Sequence, residues 1–100
     1  MSLLKQKVYE KLKQVPRGKV TTYKALAEAV NSKAYRFVGS CMKNNSDPKS
    51  IPCYKVINSD GKIGNYSGAG GIKKKIQLLK KDGIEITGGK VDLKKVGHKF

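Results

Sequence analysis

The sequence predicts a mainly α fold with a small β component: a winged helix-turn-helix domain with a C-terminal helix and a β-hairpin. Two short helical segments joined by the polar turn Asn31-Ser32 form the helix-turn-helix pattern. The segment Asn58-Ser59-Asp60-Gly61 is a hairpin signal, around which residues 56–65 could form a small β-wing. An apolar helical repeat from Ile72 to Lys81 then precedes two short extended segments around Gly88-Gly89.

The first helix is indicated by apolar residues at helical spacing, with lysines between them: Leu4, Val8, Leu12 and Val15. It should end at the turn Pro16-Arg17-Gly18-Lys19, because proline and glycine interrupt helices. The next residues, Val20-Thr21-Thr22, can form a short extended piece that ends in a threonine N-cap.

Two helices should follow this cap, from Tyr23 to Val30 and from Lys33 to about Asn44. Turn chemistry in Asn44-Asn45-Ser46-Asp47-Pro48 ends the second of them. The segment from Cys53 to Ile57 is either a strand or a single helical turn, since its length allows no decision from periodicity.

The fourth helix should place its apolar residues on one face: Ile72, Ile76 and Leu79, with Leu78 beside them. Asp82-Gly83 ends it, and the segments Glu85-Ile86-Thr87 and Lys90-Val91-Asp92 resemble the two sides of a terminal hairpin.

The length predicts one domain over residues 1–100, and its charge is strongly positive. Lysine and arginine number 22 against 7 aspartates and glutamates, which gives a net charge of +15. A field of this strength favours polyanions, with nucleic acid as the first candidate. The alternative is a solvated lysine-rich surface without a nucleic-acid partner.

Cysteine and histidine usage bounds the chemistry. The two cysteines, Cys41 and Cys53, do not make a disulfide framework. With no Cys-x-x-Cys pair and 1 histidine, the sequence predicts no metal site and no cofactor. No apolar run approaches the roughly 18 residues of a membrane span, and the N-terminus lacks the apolar core of a signal peptide. We therefore expect an intracellular, cytoplasmic and nucleoid-associated protein with no membrane partner.

Cys53 is a candidate nucleophile. It follows Pro52, whose ring fixes its own φ and restricts its neighbour, so the cysteine is held in place. The glycine-rich segment Gly64-Asn65-Tyr66-Ser67-Gly68 could cover a pocket beside it. The alternative for Cys53 is an inert buried thiol. The alternative for the glycine-rich segment is a tight loop with no role in a pocket.

Four segments occur in one order and spacing: Gly18-Lys19-Val20-Thr21-Thr22-Tyr23, Arg36-Phe37-Val38-Gly39, Pro52-Cys53-Tyr54-Lys55-Val56 and Gly64-Asn65-Tyr66-Ser67-Gly68. Together they resemble the DNA-binding, active-site domain of the O6-alkylguanine-DNA alkyltransferases, the methylated-DNA–protein-cysteine methyltransferases. The resemblance runs from about residue 3 to residue 83. The separate N-terminal domain common in that family is missing from this sequence.

The resemblance implies DNA repair by direct reversal, with double-stranded DNA containing O6-alkylguanine as partner. The thiolate of Cys53 would attack the alkyl carbon on a guanine flipped out of the duplex. Guanine leaves once its developing negative charge is stabilised. The product thioether has no easy leaving group, so each molecule would act once, and we expect it to act as a monomer.

By the same resemblance, Arg36 would take the place of the extruded base; the alternative is a phosphate contact from the helix surface. Tyr23 would contact the flipped base and its flanking phosphate, or be only a partly buried aromatic. The resemblance also implies a substrate pocket and a hinge, formed by Val56, Tyr66, Ser67 and Asn45. Asn45 could equally be a helix C-cap.

Further DNA contacts are expected from residues around the third helix: Thr22, Lys33, Gly39, Ser40 and Lys43. The small side chains of Gly39 and Ser40 would let this helix approach a groove closely. Lys33, Lys43 and Lys55 should contact phosphates or solvent and not read bases. Cys41 on the same helix is interpreted as a small core residue, with a second acceptor as the alternative.

The sequence departs from the family pattern at Tyr54, where histidine usually follows the cysteine. In the family a proton relay joins thiol, water, that histidine and a glutamate; Asp82 falls near the position of the glutamate if two residues are inserted before Leu78-Leu79. A phenolate at pH 7 would cost about 4 kcal/mol, since the reference pKa of tyrosine is near 10. The positive field, that of Lys55 especially, could recover part of this. We favour the simpler account, in which Tyr54 orients a water while Cys53 ionises under local positive charge.

The only histidine, His98, is remote in sequence and near an end expected to be mobile, so it is not assigned as a base. Two rival functions stay open. The first is a lesion-sensing binder without transfer, like the alkyltransferase-like proteins, which replace the cysteine, commonly with tryptophan. The second is a basic winged-helix architectural or regulatory DNA-binding protein.

Overall fold

The computed structural model describes residues 3–31, 33, 35–43, 51–64 and 71–100. Its N-terminal part contains α1 (Leu3–Lys13), β1 (Thr21–Thr22), α2 (Tyr23–Ala29) and α3 (Tyr35–Lys43). Its C-terminal part contains a 3₁₀ turn (Cys53–Lys55), β2 (Val56–Ile57), α4 (Gly71–Lys81) and α5 (Leu93–Val96). The predicted class is therefore confirmed: the fold is mainly helical, with one small two-stranded sheet.

The first three helices pack around one apolar cluster, the first core. Its fully buried members include Val8 and Leu12 from α1, Leu26 from α2 and Val38 from α3. Apolar residues three and four positions apart lie on one helix face, so each short helix contributes one stripe to this core. Burial of such side chains contributes about 1.5–3 kcal/mol each, and it holds the helix-turn-helix together.

Local chemistry sets where these helices begin and end. The backbone N–H of Ala25 donates to the Thr22 hydroxyl at 3.0 Å, which confirms the predicted threonine N-cap of α2. After α2, Asn31 adopts a φ of +55°, a left-handed conformation that asparagine tolerates better than most residues. This residue turns the chain so that α3 can pack against α2.

The sheet corrects one detail of the predicted β-wing. The turn at Asn58–Gly61 forms, with the Gly61 N–H donating to the Asn58 carbonyl at 2.9 Å. The strand before it, however, pairs in parallel with β1, in the register Thr21 to Val56 and Thr22 to Ile57. Across the turn, Lys62 bridges to Lys90 near the C-terminus. Long-range pairing with two distant segments thus replaces a local hairpin among the described residues.

Gly61 shows why this turn requires glycine. Its φ is +89°, a region that other residues rarely adopt, and a Cβ there would lie 2.8 Å from the Val91 carbonyl oxygen. Val91 is also hydrogen-bonded to this turn, since its N–H donates to the Gly61 carbonyl at 2.9 Å. The absence of a side chain lets the C-terminal segment lie directly against the turn.

Helix α4 is rotated relative to the prediction. Leu79 is fully buried and Ile76 packs against the second core, the apolar cluster that includes Val20, Ile57 and Ile63. Ile72, predicted on the buried face, is 47% exposed, whereas Lys75 is 1% exposed. The helix therefore buries a lysine and exposes an isoleucine, whereas periodicity alone predicts a buried isoleucine and an exposed lysine.

The C-terminal segment completes the second core and is tied to the sheet. Thr87 and Lys90 bridge around Gly88-Gly89, as predicted, but the short helix α5 beyond them was missed. Its N-cap is Asp92, whose carboxylate accepts from the Lys94 N–H at 3.0 Å. The His98 N–H donates to the Val20 carbonyl at 2.7 Å. The expectation of a mobile end is therefore wrong, because this end is hydrogen-bonded to the residue preceding β1.

No helix in the described part of the chain is long and apolar enough to cross a membrane.

Candidate active site

Cys53 is the first residue of the 3₁₀ turn and lies at the junction of the two halves of the molecule. Its N–H donates to the Ile51 carbonyl at 2.8 Å, and the Lys55 N–H donates to the Pro52 carbonyl at 3.0 Å. The two alternatives for this segment are both realised in succession, as a helical turn and then as strand β2. The Cys53 side chain belongs to the first core and is 8% exposed. Cys53 is therefore a buried thiol whose backbone is fixed by the turn.

Lys55 is buried, which corrects the expectation that it contacts phosphates or solvent. Its Nζ donates to the Pro16 carbonyl at 2.8 Å and forms an ion pair with the Asp82 carboxylate at 2.8 Å. The carboxylate also accepts from the Gly18 N–H at 3.1 Å. These bonds join the active-site turn to the turn after α1 and to the end of α4. Because Asp82 balances the charge, Lys55 is a poor source of the positive field once assigned to it.

Tyr54 and Cys53, although adjacent, contact different cores. The Tyr54 ring packs against the second core, whereas Cys53 belongs to the first. Asp82, predicted as the distant end of a proton relay, is bound to Lys55 and Gly18 in the described contacts. A relay through Tyr54 to Asp82 stays a prediction.

Tyr23 is the first residue of α2, and the core cluster that it contacts includes Cys53. Its partly buried ring packs against the first core. Burial raises the pKa of Tyr23, and the negative charge of the Cys53 thiolate raises it further. Tyr23 is therefore a neutral phenol at neutral pH, able to donate and accept hydrogen bonds. The Thr22 hydroxyl before it caps α2.

Lys75 is a site residue that the sequence analysis missed. Its Nζ donates to the carbonyl of Val56 at 2.8 Å, directly behind the active-site turn. Burial lowers the pKa of Lys75 to about 8, and the Cys53 thiolate acts in the opposite direction. Its position one turn before Leu79 is the signal that could have found it, but Lys73 and Lys74 look identical in sequence.

The pKa of Lys75 has a consequence for stability. Because the folded protein binds this proton less tightly than the unfolded chain, the buried ammonium destabilises the fold at neutral pH. The penalty is lost as the pH rises from about 8 towards the ordinary value of 10.5. The fold therefore tolerates a charged group at this place at some expense in stability.

Helix α3 separates into a buried and an exposed face. Val38, Cys41 and Met42 face the first core. Cys41 is thus a core residue, as interpreted, and its carbonyl accepts from the Tyr9 hydroxyl at 2.7 Å. The opposite stripe holds predicted DNA contacts at helical spacing: Arg36, Gly39, Ser40 and Lys43. Lys33, just before the helix, is also exposed.

A surface groove connects this region to the turn after β2. It is lined by Tyr23, Lys24, Tyr35, Asn58, Ser59 and Asp60. The groove thus joins the starts of α2 and α3 and passes beside the tyrosine that contacts the Cys53 core. Among the described residues, no group of three or more His, Cys, Asp or Glu could hold a metal ion.

Val56, predicted to contact substrate, has a fully buried side chain, and its carbonyl is bound to Lys75. Three predicted site residues, Asn45, Tyr66 and Ser67, lie outside the described residues. The described site therefore comprises the Cys53 turn, Tyr23, the two buried lysines and the exposed face of α3.

Residues 3–84 match the model of a protein family described as 6-O-methylguanine DNA methyltransferase, DNA binding domain. The chain belongs to this methyltransferase family. The family resemblance of the four sequence segments is confirmed, and the match ends where the C-terminal segment with α5 begins. The C-terminal residues 85–100 are additional to the shared family region.

Two sequence relatives show how the family domain occurs elsewhere. A bifunctional methyltransferase/endonuclease of Picrophilus torridus is 51% identical over 88% of this chain, which corresponds to 29% of that protein. A methylated-DNA–protein-cysteine methyltransferase of Rattus norvegicus is 48% identical over 83% of this chain and 40% of its own length. The methyltransferase-family chain thus spans less than half the length of these relatives.

Solved structures also match the chain over its whole length, including the C-terminal residues, and one of them serves as the example. It is S. pombe Atl1 in complex with damaged DNA that contains O6-carboxymethylguanine. The TM-score is 0.89 at 30% identity, and the match covers 100% of this chain and 98% of Atl1. This methyltransferase-family chain therefore shares its fold with the Atl1 chain over its whole length, while its sequence also aligns with parts of the much longer transferases.

Proposed function

We propose that this protein repairs DNA by transferring an alkyl group from O6 of guanine to its own Cys53. The observation that carries the proposal is Cys53 itself, held by backbone hydrogen bonds at the start of a 3₁₀ turn inside the family region. In the reaction, a bond forms between the sulfur and the alkyl carbon while the bond from that carbon to O6 breaks. The thiol loses one proton and the departing guanine takes up one proton, so the reaction balances.

The charge and the surface of α3 support DNA as the partner. The net charge of +15 attracts the phosphate backbone. Arg36 and Lys43 lie on the exposed face of α3, and the core residues of this helix lie on its other face. In this proposal Arg36 fills the space of the extruded base, and its planar guanidinium stacks where a lysine could not.

The proposal assigns the remaining roles by family position. Tyr23 contacts the flipped base, Tyr66 walls the alkyl pocket, Ser67 donates to O6 together with the backbone around Tyr66, and Asn45 is the hinge. Tyr54 orients a water and is not the base, which agrees with its packing against the second core. The chain acts as a monomer and requires no cofactor, since the thiol itself is the acceptor.

The test is incubation with duplex DNA containing O6-methylguanine, followed by intact mass and peptide mapping. We expect one methyl group per protein, on the peptide that contains Cys53, and none after incubation with undamaged duplex. A mass that stays unchanged while the protein binds the lesion would contradict transfer. Binding with no preference for the lesion would indicate a basic architectural or regulatory protein.

A second candidate is a lesion-binding protein that does not transfer the alkyl group. The whole-length likeness to Atl1, seen with damaged DNA, favours it. The cysteine at position 53 favours transfer instead, because a thiol at this place is the group that the chemistry requires. The mass experiment separates the two candidates.

DNA binding should depend strongly on salt. Each phosphate contact contributes about 0.9 to the slope of log affinity against log salt concentration. We expect Lys43→Ala, on the exposed face of α3, to weaken binding and reduce this slope by about 1. Lys94→Ala removes an equal charge from α5 and should change it little. Fluorescence anisotropy over a salt series measures both; equal slopes for the two variants would contradict α3 as the DNA-binding helix.

A further inference from the structure

The exposed side of α4 carries lysines that take no part in the site described above. Four residues make up this α4 basic face: Lys73, Lys74, Lys80 and Lys81. At 3.6 residues per turn, these positions fall within about one third of the helix circumference, on the side opposite the buried Leu79. The two lysine pairs are two turns apart, which is about 10.5 Å along the helix axis.

The charge of the α4 basic face is not balanced within its own helix. Helix α4 contains no aspartate or glutamate, and Asp82, directly after it, is paired with the buried Lys55 at 2.8 Å. Neither ion pair among the described residues involves a lysine of this face. The lysines of α1, by contrast, share their helix with Glu10. The positive charge of α4 is therefore directed to solvent.

One pair of these lysines is placed against the helix dipole. Lys73 and Lys74 lie in the first turn of α4, where negative and not positive side chains stabilise a helix. Lys80 and Lys81 lie in the last turn, where the dipole favours them. The dipole thus accounts for the second pair only. The first pair is unfavourable for the helix taken alone.

The tertiary structure adds one more charge to this face. Arg17, in the turn after α1, is exposed, and its Nη2 donates to the Lys81 carbonyl at 3.1 Å. This contact fixes a guanidinium beside the second lysine pair. A planar guanidinium is well suited to phosphate, to which it can form two parallel hydrogen bonds.

The α4 basic face is separate from the DNA-binding face proposed on α3. Helix α3 packs against the first core through Val38, whereas α4 packs against the second core through Leu79. The exposed face of each helix lies opposite the core that it contacts. The two basic faces therefore belong to different halves of the molecule.

We propose that the α4 basic face is a second DNA-binding surface, which holds the phosphate backbone of another duplex, or of a distant segment of the same DNA, while α3 holds the first. Charge complementarity is the argument for DNA: a duplex carries one negative charge per about 1.7 Å of its axis, so two lysine pairs about 10.5 Å apart can meet several phosphates. Lysine binds phosphate as a point charge, so this surface binds damaged and undamaged DNA alike. The inference goes beyond alkyl transfer and shares with the proposed function only DNA as the partner.

The experiment asks whether one protein molecule joins two duplexes. An undamaged biotinylated duplex is held on beads at about 50 mM salt, protein is bound to it, and a second, fluorescent undamaged duplex is titrated in. The test variant replaces the whole α4 basic face by glutamine, whose helix propensity is close to that of lysine. The matched control also replaces four exposed lysines by glutamine, and these are distributed over other parts of the chain: Lys7, Lys13, Lys90 and Lys94.

We expect wild type to retain the second duplex, the α4 variant to retain it at least about tenfold less tightly, and the control to stay within about twofold of wild type. Four phosphate contacts predict a slope of about 3.6 for log affinity against log salt concentration. The double variant Lys73→Gln with Lys74→Gln should reduce this slope by about 1.8. It keeps the test decisive if the quadruple variant is unstable, and circular dichroism melting checks the fold of each protein. Sedimentation velocity should show one protein molecule with two duplexes.

Four results would overturn the proposal. The first is a wild type that retains no second duplex. The second is an equal loss in the α4 variant and the control, which would assign retention to overall charge. The third is a complex with two protein molecules for two duplexes, which would assign it to self-association. The fourth is a polyglutamate peptide that binds wild type and not the α4 variant while the second duplex binds both alike, which would assign the face to an acidic protein.

The outcome is separable from that of the proposed function, because both duplexes are undamaged. Cys53→Ser should retain the second duplex as wild type does. If wild type joins two duplexes but accepts no methyl group from damaged DNA, transfer fails and the second surface stands. If wild type is methylated and joins no second duplex, only the inference about α4 fails.

Discussion

Cys53→Ser is expected to abolish methyl transfer while the protein still binds O6-methylguanine duplex. A hydroxyl is far harder to ionise than a thiol and is a weaker, less polarisable nucleophile, so the acceptor is lost. Serine is close in size to cysteine, and the side chain is 8% exposed at the edge of the first core. The fold and the DNA surface of α3 should therefore persist. Single-turnover transfer, followed by intact mass, and anisotropy on the damaged duplex measure the two effects.

The matched control is the other cysteine. Cys41 is buried in the first core and its carbonyl, not its sulfur, accepts the Tyr9 hydroxyl. Cys41→Ala should retain transfer, with a small loss of stability from the missing sulfur. If transfer is lost in Cys41→Ala and persists in Cys53→Ser, then Cys41 and not Cys53 is the acceptor, and the proposal is contradicted.

Tyr54→Phe refines this prediction by removing the hydroxyl and keeping the ring that packs against the second core. We expect a modest decrease in the transfer rate, because a water loses one hydrogen-bonding partner. A loss as complete as that of Cys53→Ser would show that the phenol is an obligatory base. The single-turnover transfer rate of Tyr54→Phe at neutral pH distinguishes these mechanisms. If the phenol were an obligatory base, its removal would leave no residual rate.

Asp82→Asn is expected to lower the free energy of unfolding by about 3–5 kcal/mol, because it leaves the Lys55 ammonium buried without its carboxylate. The ion pair is 2.8 Å long, and the side chains of Lys55 and Asp82 are 5% and 11% exposed. The carboxylate also accepts from the Gly18 N–H, so the change weakens three segments at once. Urea unfolding followed by circular dichroism measures the effect.

The chain contains its own control for this experiment. Asp60 and Lys62 form a second pair, 3.9 Å long, whose side chains are 55% and 61% exposed. Asp60→Asn should change stability by less than about 1 kcal/mol, as is usual for solvent-exposed pairs. Equal losses at positions 60 and 82 would contradict the difference that burial is expected to make.

A double variant separates structure from chemistry at Asp82. Combining Lys55→Met with Asp82→Asn removes both charges and should recover most of the lost stability. If Asp82 only balances Lys55, the refolded double variant should transfer a methyl group at nearly the wild-type rate. A stable double variant without transfer would instead support Asp82 as the end of a proton relay. Intact mass after single turnover is the measurement.

Local patterns in the sequence were sufficient for much of the architecture. The spacing of Val8, Leu12 and Val15, the Thr22 cap and the turn at Asn31 predicted the first three elements, because caps and apolar stripes act over a few neighbouring residues. The segment around Cys53 and the basic composition likewise pointed to the family and to DNA. These are properties of short windows and of composition, and no long-range contact alters them.

The pairing of distant segments was beyond the reach of such patterns. The parallel pairing of Thr21 with Val56, and of Lys62 with Lys90, replaced the predicted local wing. The C-terminal end, expected to be mobile, is hydrogen-bonded to Val20. Backbone groups bond to whatever the fold brings near, and their donors and acceptors carry no side-chain signature.

By itself the sequence determined the first four helical segments, the family and the cysteine, since each depends on nearest neighbours or on residue identity. Only the tertiary structure decided which lysines are buried. Lys55 meets Asp82, Lys75 meets the Val56 carbonyl, and Ile72 is left in solvent. Twenty-two basic residues look alike along the chain. Their charges become distinguishable only when the dielectric around each one, and the partner within reach, are set by packing.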